Sequence, residues 1–179
     1  MLRISTLRAP QGVLAVVAMP DRAPLHPVAL AGKYTLVLDD VQDPGNLGTI
    51  IRTAEWFGFR QLVCSANTAD AYNPKVVQAS MGSLARMEVQ YTDIEALISQ
   101  TELPVYGALL DGQPIYDVSW TNEGIVLLGN EGNGIRDSLR PRIQHAVTIP
   151  RVGKAESLNV AVSAALFCSE LVRSKGAWK

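Results

Sequence analysis

With 179 residues, 47% of them hydrophobic and 18% charged, the chain has the length of one domain and enough apolar content for a real core, which excludes a disordered tail. Lys and Arg number 16 against 17 Asp and Glu, a formal charge of −1, so no nucleic acid is held here by bulk charge and any such reading rests on a local patch. Two isolated cysteines, Cys64 and Cys168, and two histidines, His26 and His145, build neither a disulfide framework nor a zinc site.

Residues 1–11 read as an N-terminal tail or linker. Arg8, Pro10, Gln11 and Gly12 interrupt any apolar core a signal peptide would need, and with so few cysteines a cytoplasmic location is expected. Residues 12–19, β-branched and uncharged, predict a buried strand. Pro20, Pro24 and Pro27 mark an irregular loop. Residues 34–38 predict a second buried strand, which runs into Asp39-Asp40 and the turn signal Asp43-Pro44-Gly45-Asn46. Asn46 is the expected cap of a helix over 47–57, with Ile50, Ile51, Ala54 and Phe57 as its apolar stripe.

Further strands are expected at 61–64, 86–91, 105–110, 125–128 and 146–149, and helices at 74–80 and 93–100. The 125–128 strand meets the glycine-rich run Gly129-Asn130-Glu131-Gly132-Asn133-Gly134, and a short helix near 135–140 is one reading of the next segment. Ser157 opens a long helix, apolar nearly all round through Phe167, which must be buried against the sheet or another subunit. No stretch is long enough to be a membrane span. Short apolar strands alternating with helices define an α/β protein with a parallel sheet covered on both faces. Ligands in such sheets sit at the carboxyl ends of the strands, and loops 39–46, 129–134 and 150–157 each come directly after one.

The common nucleotide signatures fail. The glycines at 129–134 are in the wrong order for a dinucleotide fingerprint, and Gly153-Lys154 is followed by Ala155 while position 148 is Thr148, which breaks a P-loop. No Ser-His-Asp set is present, and Asp39, Asp40 and Asp43 read as turn and cap chemistry, so no metal is expected. Three unusual segments remain: DPGNLGTIIRTAEWFGF (43–59), LLGNEGNGI (127–135) and IPRVGKAESLNVAVSAAL (149–166).

In order, spacing and key polar residues these segments resemble the three motifs of the SpoU (TrmH-type) RNA 2′-O-methyltransferases of the SPOUT class. The resemblance implies that 12–179 form the catalytic domain, a three-layer sandwich on a parallel sheet with a C-terminal deep trefoil knot. It implies S-adenosylmethionine as cofactor, an rRNA or tRNA substrate, and a homodimer paired through the C-terminal helix. The residues it implies for catalysis are Arg52, Asn46, Glu131, Ser157 and Asn159. For the cofactor they are Leu128, Gly129, Asn130, Gly132, Ile149, Pro150, Ser157 and Leu158. A guanidinium is a poor base, so Arg52 is expected to position phosphate and stabilise charge; without the resemblance it reads as a surface arginine paired with Glu55.

Arg151 stands where the family usually has Met, which leaves substrate contacts there open. Residues 133–154 carry five basic residues against Asp137 alone, a patch suited to an RNA backbone. Many members carry an additional N-terminal RNA-binding domain, whereas this sequence enters the catalytic segment almost at once. It therefore reads as a minimal enzyme or as a catalytic domain without that domain. Two alternatives stand beside this reading: a non-catalytic RNA-binding or assembly paralogue with the same fold, and an ordinary doubly wound nucleotide-binding enzyme.

Overall fold

The computed structural model describes residues 12, 15–21 and 23–176. Strands β1 (Tyr34–Leu38), β2 (Gln61–Cys64), β3 (Glu88–Tyr91), β4 (Val105–Pro114), β5 (Gly124–Leu128) and β6 (His145–Thr148) form one sheet in the order β3-β2-β1-β5-β4-β6. Every ladder is parallel. Helices α1 (Pro44–Trp56), α2 (Pro74–Ala79), α3 (Ile94–Ser99) and α4 (Val160–Ser174) complete the α/β pattern.

β1, β2 and β5 are buried at every position, which is why their sequences run apolar without alternation. Leu36, Leu38, Leu62, Cys64, Val126 and Leu128 pack against α1, α2 and α4. Their neighbours Val37, Val63, Ile125 and Leu127 pack on the opposite face against α3, with Leu30, Ile135 and Leu139. The result is three layers. α1 lies tight against α2 at Gly48, where a Cβ would stand 2.5 Å from the Ala79 Cβ and 2.8 Å from the Val76 carbonyl oxygen. The chain builds outward from β1 to β2 and β3, then returns to add β4 and β5 on the other side. Loops leaving β1 and β5 therefore diverge.

Several expectations need correction. Residues 15–19 form no strand, and Val16, Val17 and Met19 are 94%, 79% and 69% exposed; residues 13 and 14, like the tail 1–11, lie outside the described residues. An apolar run becomes a strand only beside a free edge, and no described strand pairs with this one. Asn46 does not cap α1. Asp43 does, because Pro44 occupies the first helical turn and the Asp43 carboxylate accepts the Asn46 backbone N–H at 2.8 Å. Likewise α4 starts at Val160 under an Asn159 cap rather than at Ser157.

α4 is also less uniformly apolar than its sequence suggests, for it buries Glu170, whose carboxylate takes both Nε and Nη2 of Arg173 at 2.7 Å. Arg86 ends a 3-10 turn, and β3 begins at Glu88. Residues 135–139 form no helix; a 3-10 turn at Arg140–Arg142 comes after them. β4 overruns its expected end and rejoins β6 after an irregularity between Ala108 and Gln113. Among the described residues no helix is long and apolar enough to cross a membrane.

Candidate active site

A cavity of about 680 Å³ opens over the carboxyl ends of β4, β5 and β6, within the range of small-molecule sites. Its wall is made by residues 108–111, 128–135, 147–153 and 155–158, with Arg140, Val160, Ser163 and Phe167. Leu128, Gly129, Asn130, Gly132, Ile149, Pro150, Ser157 and Leu158 all stand on this wall, and Glu131 stands among them. Apolar surface from Leu109, Leu128, Ile149, Leu158 and Phe167 is interleaved with three carboxylates, Asp111, Glu131 and Glu156, and two guanidiniums, Arg140 and Arg151.

The 129–134 loop is closed on itself. The backbone groups of Asn130 and Gly134 bond each other in both directions at 3.0 Å. Asn130 Oδ1 accepts the N–H groups of Gly132 and Asn133 at 2.8 and 3.1 Å. At Gly129 a Cβ would come within 2.2 Å of the Gly134 carbonyl carbon and 2.3 Å of the Ile135 nitrogen, so glycine is required there by the loop's own backbone.

Three distant segments meet beside the cavity. Asn46 Nδ2 donates to Glu131 Oε1 at 2.8 Å, and Asn159 Nδ2 donates to Asn46 Oδ1 at 2.9 Å. Asn159 Oδ1 meanwhile accepts from Ala161 and Val162 at the start of α4. Asn46, Glu131 and Asn159 are thus a continuous bridge, with Glu131 facing the cavity. Ser157, released from capping, makes no hydrogen bond with a described residue and is exposed on the cavity wall.

Arg52 is not part of this bridge. It is exposed on α1 and makes no ion pair with a described residue. The expected partner, Glu55, is taken by Arg86 at 2.9 and 3.2 Å and by Ser83 at 3.3 Å. Thr49, Arg52 and Trp56 share one exposed stripe of α1, and Trp56 is 81% exposed. Within the basic segment, Arg136 is tied to Asp39, Arg140 to Asp137, and Arg151 to the Ala155 carbonyl. Arg142 and Lys154 remain exposed without such a partner among the described residues.

Sequence reasoning missed the wall segment 108–111, because it lies in the overrun of β4 where no motif marks it. Also missed was the Asp39–Arg136 pair, whose only sequence signal is an acidic doublet at a strand end. Cys64 and Cys168 are buried and apart from the cavity wall. No group of side chains suited to a metal ion occurs among the described residues.

A wholly parallel α/β sheet with a mostly apolar cavity over the carboxyl ends of β4, β5 and β6 defines a protein that binds a small organic ligand there. Residues 33–169 match the model of the SpoU rRNA Methylase family, and the chain belongs to that family. It is 36% identical over 172 residues to the 23S rRNA (guanosine(2553)-2′-O)-methyltransferase RlmP of Bacillus subtilis (strain 168), covering 94% of this chain and 67% of that protein. A TrmH-family structure from Porphyromonas gingivalis superposes with a TM-score of 0.81 at 43% identity, covering 96% of this chain and 70% of the other. The SpoU methyltransferase AviRb from Streptomyces viridochromogenes, in complex with the cofactor AdoMet, gives 0.75 at 29% identity, covering 82% and 62%. The chain therefore spans about two thirds of the length of these relatives.

Proposed function

We propose that the chain catalyses S-adenosylmethionine-dependent methylation of a ribose 2′-hydroxyl in rRNA or tRNA, with the cofactor in the cavity over β4, β5 and β6. The observation that carries this reading is the Glu131–Asn46–Asn159 bridge, which brings all three family motifs to the rim of one cavity. The wall chemistry suits the cofactor: apolar surface for an adenine and a methionine chain, backbone groups of Gly129, Asn130, Gly132 and Pro150 for its edges, and carboxylates at Asp111, Glu131 and Glu156 opposite its positive centres. When bound, the sulfonium supplies an electrophilic methyl group.

The chain's own residues do the rest. Leu128, Ile149 and Leu158 exclude water from the apolar part of the cavity. Glu131, held by Asn46, fixes the loop that forms one wall. Ser157 offers an exposed hydroxyl at the wall for orienting the incoming ribose. Arg52, exposed and without an ion pair among the described residues, engages the RNA phosphate and stabilises the charge that develops at the reacting ribose. Arg142 and Lys154 extend the positive track beyond the cavity.

The same reading includes a cytoplasmic homodimer and a knotted C-terminal part within a domain running over 12–179. Exposed Trp56 on α1 and half-exposed Val162 in the first turn of α4 give a copy of the chain an apolar surface to cover.

The test is transfer of labelled methyl from S-adenosylmethionine to rRNA and tRNA, with cofactor affinity followed by calorimetry. The wild-type chain binds the cofactor and methylates, while Arg52→Ala binds it equally and loses about a hundredfold or more in rate. Binding without transfer to either RNA class identifies the non-catalytic paralogue instead, and absence of binding overturns the reading altogether.

A further inference from the structure

We infer that Asp39 and Arg136 form a latch that positions the 129–135 wall for the cofactor, a role resting on the reading that this cavity takes S-adenosylmethionine. Asp39 stands directly after β1 with its side chain fully buried. A carboxylate without solvent is costly unless paired and hydrogen-bonded. Both its oxygens are satisfied by one residue: Oδ2 accepts the Arg136 backbone N–H at 2.9 Å and Oδ1 accepts Arg136 Nε at 2.6 Å. Its own N–H donates to the Leu128 carbonyl at 2.8 Å, one residue before the loop begins.

The next residue holds the other end. The Asp40 carbonyl accepts Asn130 Nδ2 at 2.7 Å. Asp40 does this from a left-handed conformation, φ 57°, which is costly for a non-glycine residue. Ser65 stabilises that conformation: its hydroxyl donates to Asp40 Oδ1 at 2.5 Å and accepts the Asp40 N–H at 2.9 Å. Two consecutive residues after β1 therefore hold the start of the loop at Asn130 and its end at Arg136. Between those anchors lies the wall segment that presents Glu131 to Asn46. The pair touches neither cofactor nor RNA in this scheme; it acts by keeping the wall in the binding conformation, which lowers the ordering cost of binding.

The test uses the whole chain in three variants: Asp39→Asn, Arg136→Gln and the double variant, in which a neutral amide pair replaces the ion pair. The readouts are cofactor Kd by calorimetry, the split between KM for cofactor and kcat, and amide exchange across 129–136 against the sheet. Each single variant is expected to raise Kd and KM about tenfold while kcat at saturating cofactor changes much less, and to speed exchange only across the loop. The double variant is expected to recover much of the loss, because neither partner is left buried and unpaired. Should Asp39→Asn fail to fold, Arg136→Lys, which retains the charge and the backbone donor, gives the same readouts with a smaller shift.

Folded single variants with wild-type Kd and KM overturn the latch. A wild-type chain that binds no cofactor defeats the functional reading instead, and the exchange experiment then decides the latch: unchanged exchange across 129–136 in the variants overturns it too.

Discussion

Asn46 and Glu131 lie 85 positions apart in the chain, yet Asn46 Nδ2 donates to Glu131 Oε1 at 2.8 Å. The contact exists because Asp43 takes over the capping of α1 and leaves the Asn46 side chain free. On its other side Asn46 Oδ1 accepts from Asn159. The position therefore needs one donor toward a carboxylate and one acceptor toward an amide, which a short carboxamide supplies and a carboxylate does not.

Asn46→Asp is expected to set a second carboxylate against Glu131 while keeping the acceptor for Asn159. Losing the donor and adding like charge costs about 1–2 kcal/mol, or about a tenfold weaker cofactor affinity. Calorimetry with S-adenosylmethionine at neutral pH checks this.

Gly129→Ala is expected to be worse than its size suggests. The new methyl would meet backbone atoms of Gly134 and Ile135 rather than a yielding side chain. Reopening the loop costs about 1–3 kcal/mol, which a thermal melt reads, and cofactor binding should be lost disproportionately.

The outline of the fold was legible where burial alone dictates sequence. β1, β2 and β5 are enclosed on both faces, so they announce themselves as unbroken apolar runs. The same signal at 12–19 misled, because apolarity reports a demand for cover and not which edge meets it. The caps were misplaced by a few residues each. Asn46 and Ser157 are good capping types, but Pro44 fixes an earlier start for α1, and Asn159 lies nearer the first turn of α4 than Ser157. The wall residues at 128–132 and 149–158 were readable from motifs, whereas the 108–111 wall and the hydrogen-bond partners were not, since a bridge across 85 or 113 positions leaves no local trace.

Arg86 holds the Glu55 carboxyl below its ordinary value of 4.5, chiefly through its side-chain hydrogen bonds. A lowered carboxyl stabilises the fold above its unfolded value and loses that contribution as pH falls through the folded one. Arg86→Met should therefore melt below the wild type at pH 7, and the gap should close as pH falls below the carboxylate range. Melting curves from pH 7 to pH 3 test the trend.

Burial raises both thiols, Cys64 strongly and Cys168 to about 12, from an ordinary value of 9.0. Neither should react with a disulfide reagent in the native protein at pH 8, and both should react in denaturant. The unfolded chain ionises them first, so their contribution to stability is complete below pH 9 and is lost as pH rises toward 12.

Asn159 has two jobs at once: its oxygen starts α4 and its amide nitrogen completes the bridge to Asn46. The first helix and the glycine loop precede residue 159 in the chain and are made before it. Until that asparagine is made, Asn46 can meet Glu131 but lacks the donor to its own oxygen. Chain order thus makes the three-way bridge a late contact in folding, completed only once the start of α4 is in place.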